Sequence, residues 1–203
     1  MSEAADDRAQ AFARLTEVGR LAEADRGEEA AAAAAELRVL FERRPADPEL
    51  AGFGTMLLDA ALWLLARGRD GDALELCSAV VLRLTAGGES ERAVAAGARF
   101  FAVQAAGRLG RPAESRDHLE ALCGMGEPAL AALDRVSSRL ATAGADPAWH
   151  AQVAAASVTV LWRIGRVAEA RAIAHEAGAA FTRVGRPELA GRLEALEREI
   201  APP

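Results

Sequence analysis

A glycine–arginine pair, followed by an acidic turn and then a small residue, recurs along this chain. It limits the possible folds more than any other feature. The clearest copy lies in Leu161-Trp162-Arg163-Ile164-Gly165-Arg166-Val167-Ala168-Glu169-Ala170. Glycine adopts a positive φ without a Cβ penalty, so it can end a helix and turn the chain back. An acid in the turn that follows suits the positive end of a new helix. Before the turn, Trp149, Val153, Ala156, Val160 and Ile164 recur at steps of three or four, which places them on one helical face. After it, Val167, Ala170, Ala174, Ala177, Phe181 and Val184 do the same. Three of those six are alanine, which lets two helix backbones approach closely. The segment reads as a tight antiparallel helix pair, with an ordinary bundle corner as the alternative.

Four further stretches share the pattern. Gly19-Arg20-Leu21-Ala22-Glu23-Ala24 reads as a near copy. Gly68-Arg69-Asp70-Gly71-Asp72-Ala73, Gly110-Arg111-Pro112-Ala113-Glu114-Ser115 and Gly185-Arg186-Pro187-Glu188-Leu189-Ala190 keep the Gly-Arg start and a small residue five positions on. These corners, with the apolar spacing between them, predict helices over about 4–24, 28–43, 48–67, 71–85, 89–108, 112–123, 128–142, 147–164, 167–182 and 187–199. Gly19 is a candidate break in the first. Asp47-Pro48 and Asp146-Pro147 are cap signatures, with Asp as N-cap and Pro in the first helical position. The helix over 48–67 carries two apolar stripes, Phe53, Met56, Leu57, Ala60, Leu64 and Leu58, Leu62, Leu65, so it should be contacted on both sides. The helix over 128–142 lacks the corner and reads as an extra helix or a degraded half-repeat.

The corners resemble the tetratricopeptide repeat family, in which a glycine separates paired helices and a small residue follows five positions later. Gly165 with Ala170, Gly68 with Ala73 and Gly110 with Ser115 fit this. So do Ala174 and Ala177, Cys77 and Val80, and Leu119 and Leu122 four and seven positions further on. The family's aromatic in the first helix is replaced by Leu161, Leu64 and Ala106. The glycines are 42 and 55 residues apart, against about 34 in the standard repeat. The resemblance implies an all-α fold: a right-handed stack of antiparallel helical hairpins, a TPR-like α-solenoid over a single domain, 1–203, with a C-terminal capping helix. Leu189, Leu193, Leu196 and Ile200 on one face of the last segment suit that cap.

Composition agrees with helices. The chain of 203 residues is 51% hydrophobic and 27% charged, with no Tyr and no Asn. All 24 basic residues are Arg, a bias of the kind a GC-rich bacterial genome produces. The net charge of −6 disfavours the counterion release that drives nucleic-acid binding. The acidic N-terminus lacks the regions of a signal peptide, and the longest apolar run, Met56 to Ala66, is too short to span a bilayer and contains Asp59. The expected location is the cytoplasm, with no membrane or nucleic-acid partner and with Cys77 and Cys123 reduced and packed.

No chemistry-bearing motif is present. The chain has no phosphate-binding glycine loop, nucleophile elbow or zinc-protease signature. Glu114 and His118 share a helical face but lack a second cluster of metal ligands. Cys77 and Cys123 have no CxxC partner, Gly124-Met125-Gly126 is too short to cradle a phosphate, and Ser137-Ser138 lies within an amphipathic segment. The expectation is a non-enzyme without cofactor or metal.

In the resembling family the first helix of each hairpin lines a concave groove that receives peptides or protein segments. Carried over, this points to Leu58, Leu62 and Leu65, to Phe100, Gln104 and Arg108, and to Gln152, Thr159, Trp162 and Arg163. Core packing is the alternative for Leu62, Phe100 and Trp162. The family's Lys and Asn clamp for a peptide carboxylate has no counterpart here, since neither residue occurs. The expected function is a protein- or peptide-binding module in bacterial regulation. The alternatives are a small-molecule or peptide sensor, and a motif-free helical enzyme. Homo-oligomerisation is left open.

Overall fold

The computed structural model describes residues 3–44, 49–142 and 146–200. They form ten α-helices and, among the described residues, no strand. The helices are α1 (Glu3–Glu23), α2 (Gly27–Arg43), α3 (Leu50–Ala66), α4 (Asp70–Leu84), α5 (Glu89–Arg108), α6 (Pro112–Gly124), α7 (Glu127–Thr142), α8 (Pro147–Arg163), α9 (Val167–Arg183) and α10 (Pro187–Ile200). Their ends fall within two residues of those expected. Of the two cap signatures, Asp47-Pro48 lies outside the described residues. Asp146 caps α8, accepting a 2.7 Å hydrogen bond from the Ala148 N–H ahead of which Pro147 opens the helix.

Backbone contacts divide the chain into two compact units, Met1–Leu119 and Glu120–Pro203. In the first, consecutive helices pack as in a helical repeat, α1 on α2, α3 on α4 and α4 on α5. α3 lies against α1, α2, α4 and α5. Its two apolar stripes answer to that: Leu50, Phe53, Leu57, Leu58, Ala60, Ala61, Leu64 and Leu65 are all buried. Each such leucine removed from water contributes roughly 1.5–3 kcal/mol. On α4, Ala73, Cys77, Val80 and Leu84 are buried as their spacing predicts, and α5 packs an alanine-rich face on α4.

The corner proves to be one hydrogen-bonded unit used five times. At Gly68, Gly110, Gly165 and Gly185 the backbone φ is positive, between 69° and 83°. The N–H of the following arginine reaches the carbonyl five residues back: Arg69 to Leu64, Arg111 to Ala106 and Arg186 to Phe181 at 2.9 Å, and Arg166 to Leu161 at 2.8 Å. The glycine N–H bonds the carbonyl three residues back. This is the Schellman closure, and it satisfies carbonyls that a helix end leaves open. The arginine side chain then turns to an acid in the next helix: Arg69 to Asp72 and Arg166 to Glu169 at 2.7 Å, Arg111 to Glu114 at 3.5 Å, Arg186 to Glu188 at 2.5 Å. The small residue follows inside the helix crossing. Ala73 and Ala170 are fully buried, Ala190 nearly so, and the Ser115 hydroxyl donates to the Val103 carbonyl at 3.0 Å.

The fifth corner is not at Gly19. α1 runs through Gly19 unbroken, and the chain turns at Asp25, whose φ is +59°. The bonds repeat in this register: Arg26 N–H to Leu21 at 2.9 Å, the Arg26 side chain to Glu29, and a fully buried Ala30 five residues after Asp25. Asp is among the few non-glycine residues that visit the left-handed region. Gly19 serves a different need. A Cβ there would lie 2.6 Å from the Trp63 ring, so the glycine makes room for the indole.

In the second unit α7 packs on α8, α8 on α9, and α10 on both α9 and α8. Trp149, Val153, Ala156 and Val160 are buried along α8, as are Ala170, Ala174 and Phe181 along α9. Val184 is not: it caps the end of α9, past the last helical turn, and is 61% exposed. On α10, Leu189, Ala190 and Leu193 face the unit, while Arg192 and Glu194 are exposed. Among the described residues no helix is long and apolar enough to cross a membrane.

Candidate functional site

A long concavity lies in the second unit, where α7, α8 and α9 meet. It holds about 740 Å³. From α8 it takes Pro147, His150, Val153, Ala154, Ser157 and Leu161, one stripe along nearly the whole helix. At 1.5 Å per residue that stripe is roughly 21 Å long. From α7 come Leu130, Leu133, Asp134 and Ser137, and from α9 Ile173, Glu176, Ala177, Ala180 and Phe181, with Val184 at the end. The surface is a long apolar groove with scattered polar groups.

Its charges are unevenly matched. Arg166 is held on two sides, by Glu169 at 2.7 and 2.5 Å and by Glu127 at 2.6 Å. These hydrogen bonds, Glu169 first, push its pKa further above the ordinary arginine range, and Arg166 in turn holds Glu169 below the usual carboxylate range. Asp134 and Glu176 are exposed, and neither forms an ion pair or hydrogen bond with the described residues. Two unneutralised carboxylates therefore stand on the groove, one on α7 and one on α9.

The residues singled out from the sequence do not converge there. Six of them lie in the first unit. Leu58, Leu65 and Phe100 are core residues, 7%, 1% and 0% exposed, and have no surface to offer a partner. Leu62 and Gln104 are half-buried. Arg108 Nη1 donates to the Leu65 carbonyl at 2.9 Å and faces Asp70 at 3.5 Å, closing the end of α3. In the second unit, Gln152 and Thr159 line a smaller hollow of about 330 Å³ between α8 and α10, with Leu189 and Arg192. Thr159 donates its hydroxyl to the Ala155 carbonyl at 2.8 Å. Trp162 is 40% exposed with the Arg163 guanidinium over its ring at 5.9 Å, and neither lines the groove.

The groove residues did leave a trace in the sequence. Ile173 and Ala180 widen the apolar face of α9 beside Ala177 and Val184 of the stripe already described, and Leu130 stands one position outside the buried set on α7. Within the unit α9 packs on both α8 and α10, and Ile173 and Ala177 lie against its core, so the groove shows only the outer edge of this face.

Elsewhere, Glu114 and His118 gain no further ligand: among the described residues no three His, Cys, Asp or Glu side chains gather as a metal site would need. Burial pushes the Cys77 thiol up to about 12 and raises that of Cys123 as well, which leaves both as unreactive thiols. Comparison with protein-family models, with curated proteins and with solved structures finds no match.

Proposed function

We propose that the chain is a non-catalytic interaction module whose α7–α8–α9 groove receives a segment of a partner protein. The observation that carries this is the groove itself: an open apolar trough, about 20 Å long, beside the buried stripes of α7, α8 and α9. A concave apolar trough between helices, edged by a few polar groups, has the shape in which an apolar helix face docks. The only shifted ionisable groups on it, Arg166 and Glu169, are shifted by pairing with each other rather than by burial, which favours binding over acid–base chemistry. Within each unit we take the hairpins to stack right-handedly in the tetratricopeptide manner, and the repeated corner supports that. We place the protein in a bacterium on its Arg- and Ala-rich composition, and in the cytoplasm in a regulatory role as the tetratricopeptide resemblance implies. A small-molecule sensor is the second reading, because about 740 Å³ falls within the usual range of ligand pockets.

The test compares wild type with Val184→Glu, Ile173→Glu and Trp162→Ala, all checked for native helicity, as baits in a native extract. A partner retained by Trp162→Ala and lost by both groove variants supports docking in the groove. An identical partner set with all four baits removes the groove from the function. A small molecule that leaves with the wild type alone, seen by native mass spectrometry, moves the assignment to the sensor.

A further inference from the structure

We infer that the segment taken by the α7–α8–α9 groove is a basic amphipathic helix of about four turns, its apolar face on the groove and its Arg or Lys residues beside Asp134 and Glu176. This rests on the docking reading above and adds the chemistry of the partner.

Three observations lead to it. The first is the wall material. The groove is made from three helices, whose backbone N–H and C=O groups are paired along their own axes. An extended peptide laid on them would surrender its hydrogen bonds to water and find none in return, whereas a helix satisfies its own. The second is length. The α8 stripe from Pro147 to Leu161 matches roughly four helical turns. The third is charge. Glu127 and Glu169 share the single cation Arg166 and keep a net negative charge between them, while Asp134 on α7 and Glu176 on α9 have no partner among the described residues. Basic residues on either edge of a docked helix would meet both. The charge also disfavours a second copy of this chain as the occupant. Its net charge is −6, and the exposed face of α10 carries Glu188, Glu194 and Glu199 against Arg192 and Arg198.

The experiment titrates the full chain with three synthetic peptides of about 16 residues. The first has Leu at helical spacing with Lys on both flanks. The second has the same Leu positions with Glu replacing Lys. The third has the composition of the first with the Leu order scrambled. Affinity is read by calorimetry and the binding surface by amide chemical shifts. The expected result is that the Lys amphipathic peptide binds about 10-fold or more tightly than the Glu peptide, with shifts confined to α7, α8 and α9. The gap should largely close in an Asp134→Asn/Glu176→Gln variant, since both side chains are exposed and their replacement leaves the packing intact, and it should narrow in high salt. Equal binding of the Lys and Glu peptides in the groove would overturn the inference and leave the docking reading standing. Equal binding of the scrambled peptide would overturn it too, by reducing the effect to charge without a helix. If neither amphipathic peptide shifts the groove amides, or if the groove is closed by dimerisation in sedimentation, the inference falls together with the docking reading.

Discussion

Two glycines of the second unit have opposite uses. Gly165 holds φ +83° at a corner, a region that costs an L-residue about 1–2 kcal/mol. Gly178 sits in the interior of α9, where nothing lies within 4 Å of a Cβ built on it. Gly165→Ala should therefore destabilise by about 1–2 kcal/mol, and Gly178→Ala should stabilise by about 0.5–1 kcal/mol through helix propensity. Urea unfolding of the two variants checks both signs. A stabilising Gly165→Ala would mean that the corner does not need its left-handed residue. Gly19 shows a third use: it stands inside a helix and yields space to Trp63. One residue type thus answers to a turn, to a close approach and to neither, and only the three-dimensional surroundings tell these apart.

At the scale of a helix, the recurring theme is an arginine closing another helix's end. Arg83 on α4 donates to the carbonyls of Phe41, Glu42 and Arg44 at 2.6, 2.7 and 2.6 Å and lies over the Phe41 ring. It thereby holds the end of α2. Arg83→Leu would leave those carbonyls without their donor and should cost about 1–3 kcal/mol. Arg83→Lys should recover only part of it, because an ammonium cannot repeat the planar fork. Hydrogen exchange would show the loss first in the last turn of α2. If exchange there is unchanged, the cap contributes nothing. None of this is visible in the chain as a string, since Arg83 and Phe41 are 42 residues apart. The helices themselves were legible, because caps, corners and apolar spacing are local. The two-sided packing of α3 was legible for the same reason. The groove was not. Periodicity tells which residues of α8 share a face, and leaves open which neighbour covers that face. α7 carries no Gly-Arg corner to reveal its place, so His150 and Ser157 give no signal in the sequence and Val153 reads only as part of the packed stripe, while Gln152, Thr159 and Trp162 stand out on other faces. Leu58, Leu65 and Phe100 are buried because α3 is covered by α1, α2, α4 and α5, and α5 packs on both α3 and α4.

For the molecule as a whole, pH sets a gradient in stability. Burial, followed by the nearby Arg99 guanidinium, holds His118 below the ordinary histidine range, with Glu114 and Asp117 pulling the other way. The unfolded chain therefore takes up this proton first as pH falls. The stability that neutral His118 contributes is present above the unfolded value of about 6.5 and is lost progressively as pH drops toward the folded value. His118→Gln should flatten the decline in melting temperature between roughly pH 7 and pH 5. An equal decline in wild type and variant would assign it to other groups. Below that range, Glu17, Glu169 and Glu188, each held low by hydrogen bonds from a corner or neighbouring arginine, begin to take protons and release their partners. The two compact units have one further difference that can be put to use. Each contains a single cysteine, Cys77 in Met1–Leu119 and Cys123 in Glu120–Pro203, and both are buried with raised thiol pKa. An alkylating reagent reaches neither while its surroundings stay closed. The chain thus carries two internal clocks, one per unit, and the rates at which the two thiols become labelled report separately how often each half breathes open.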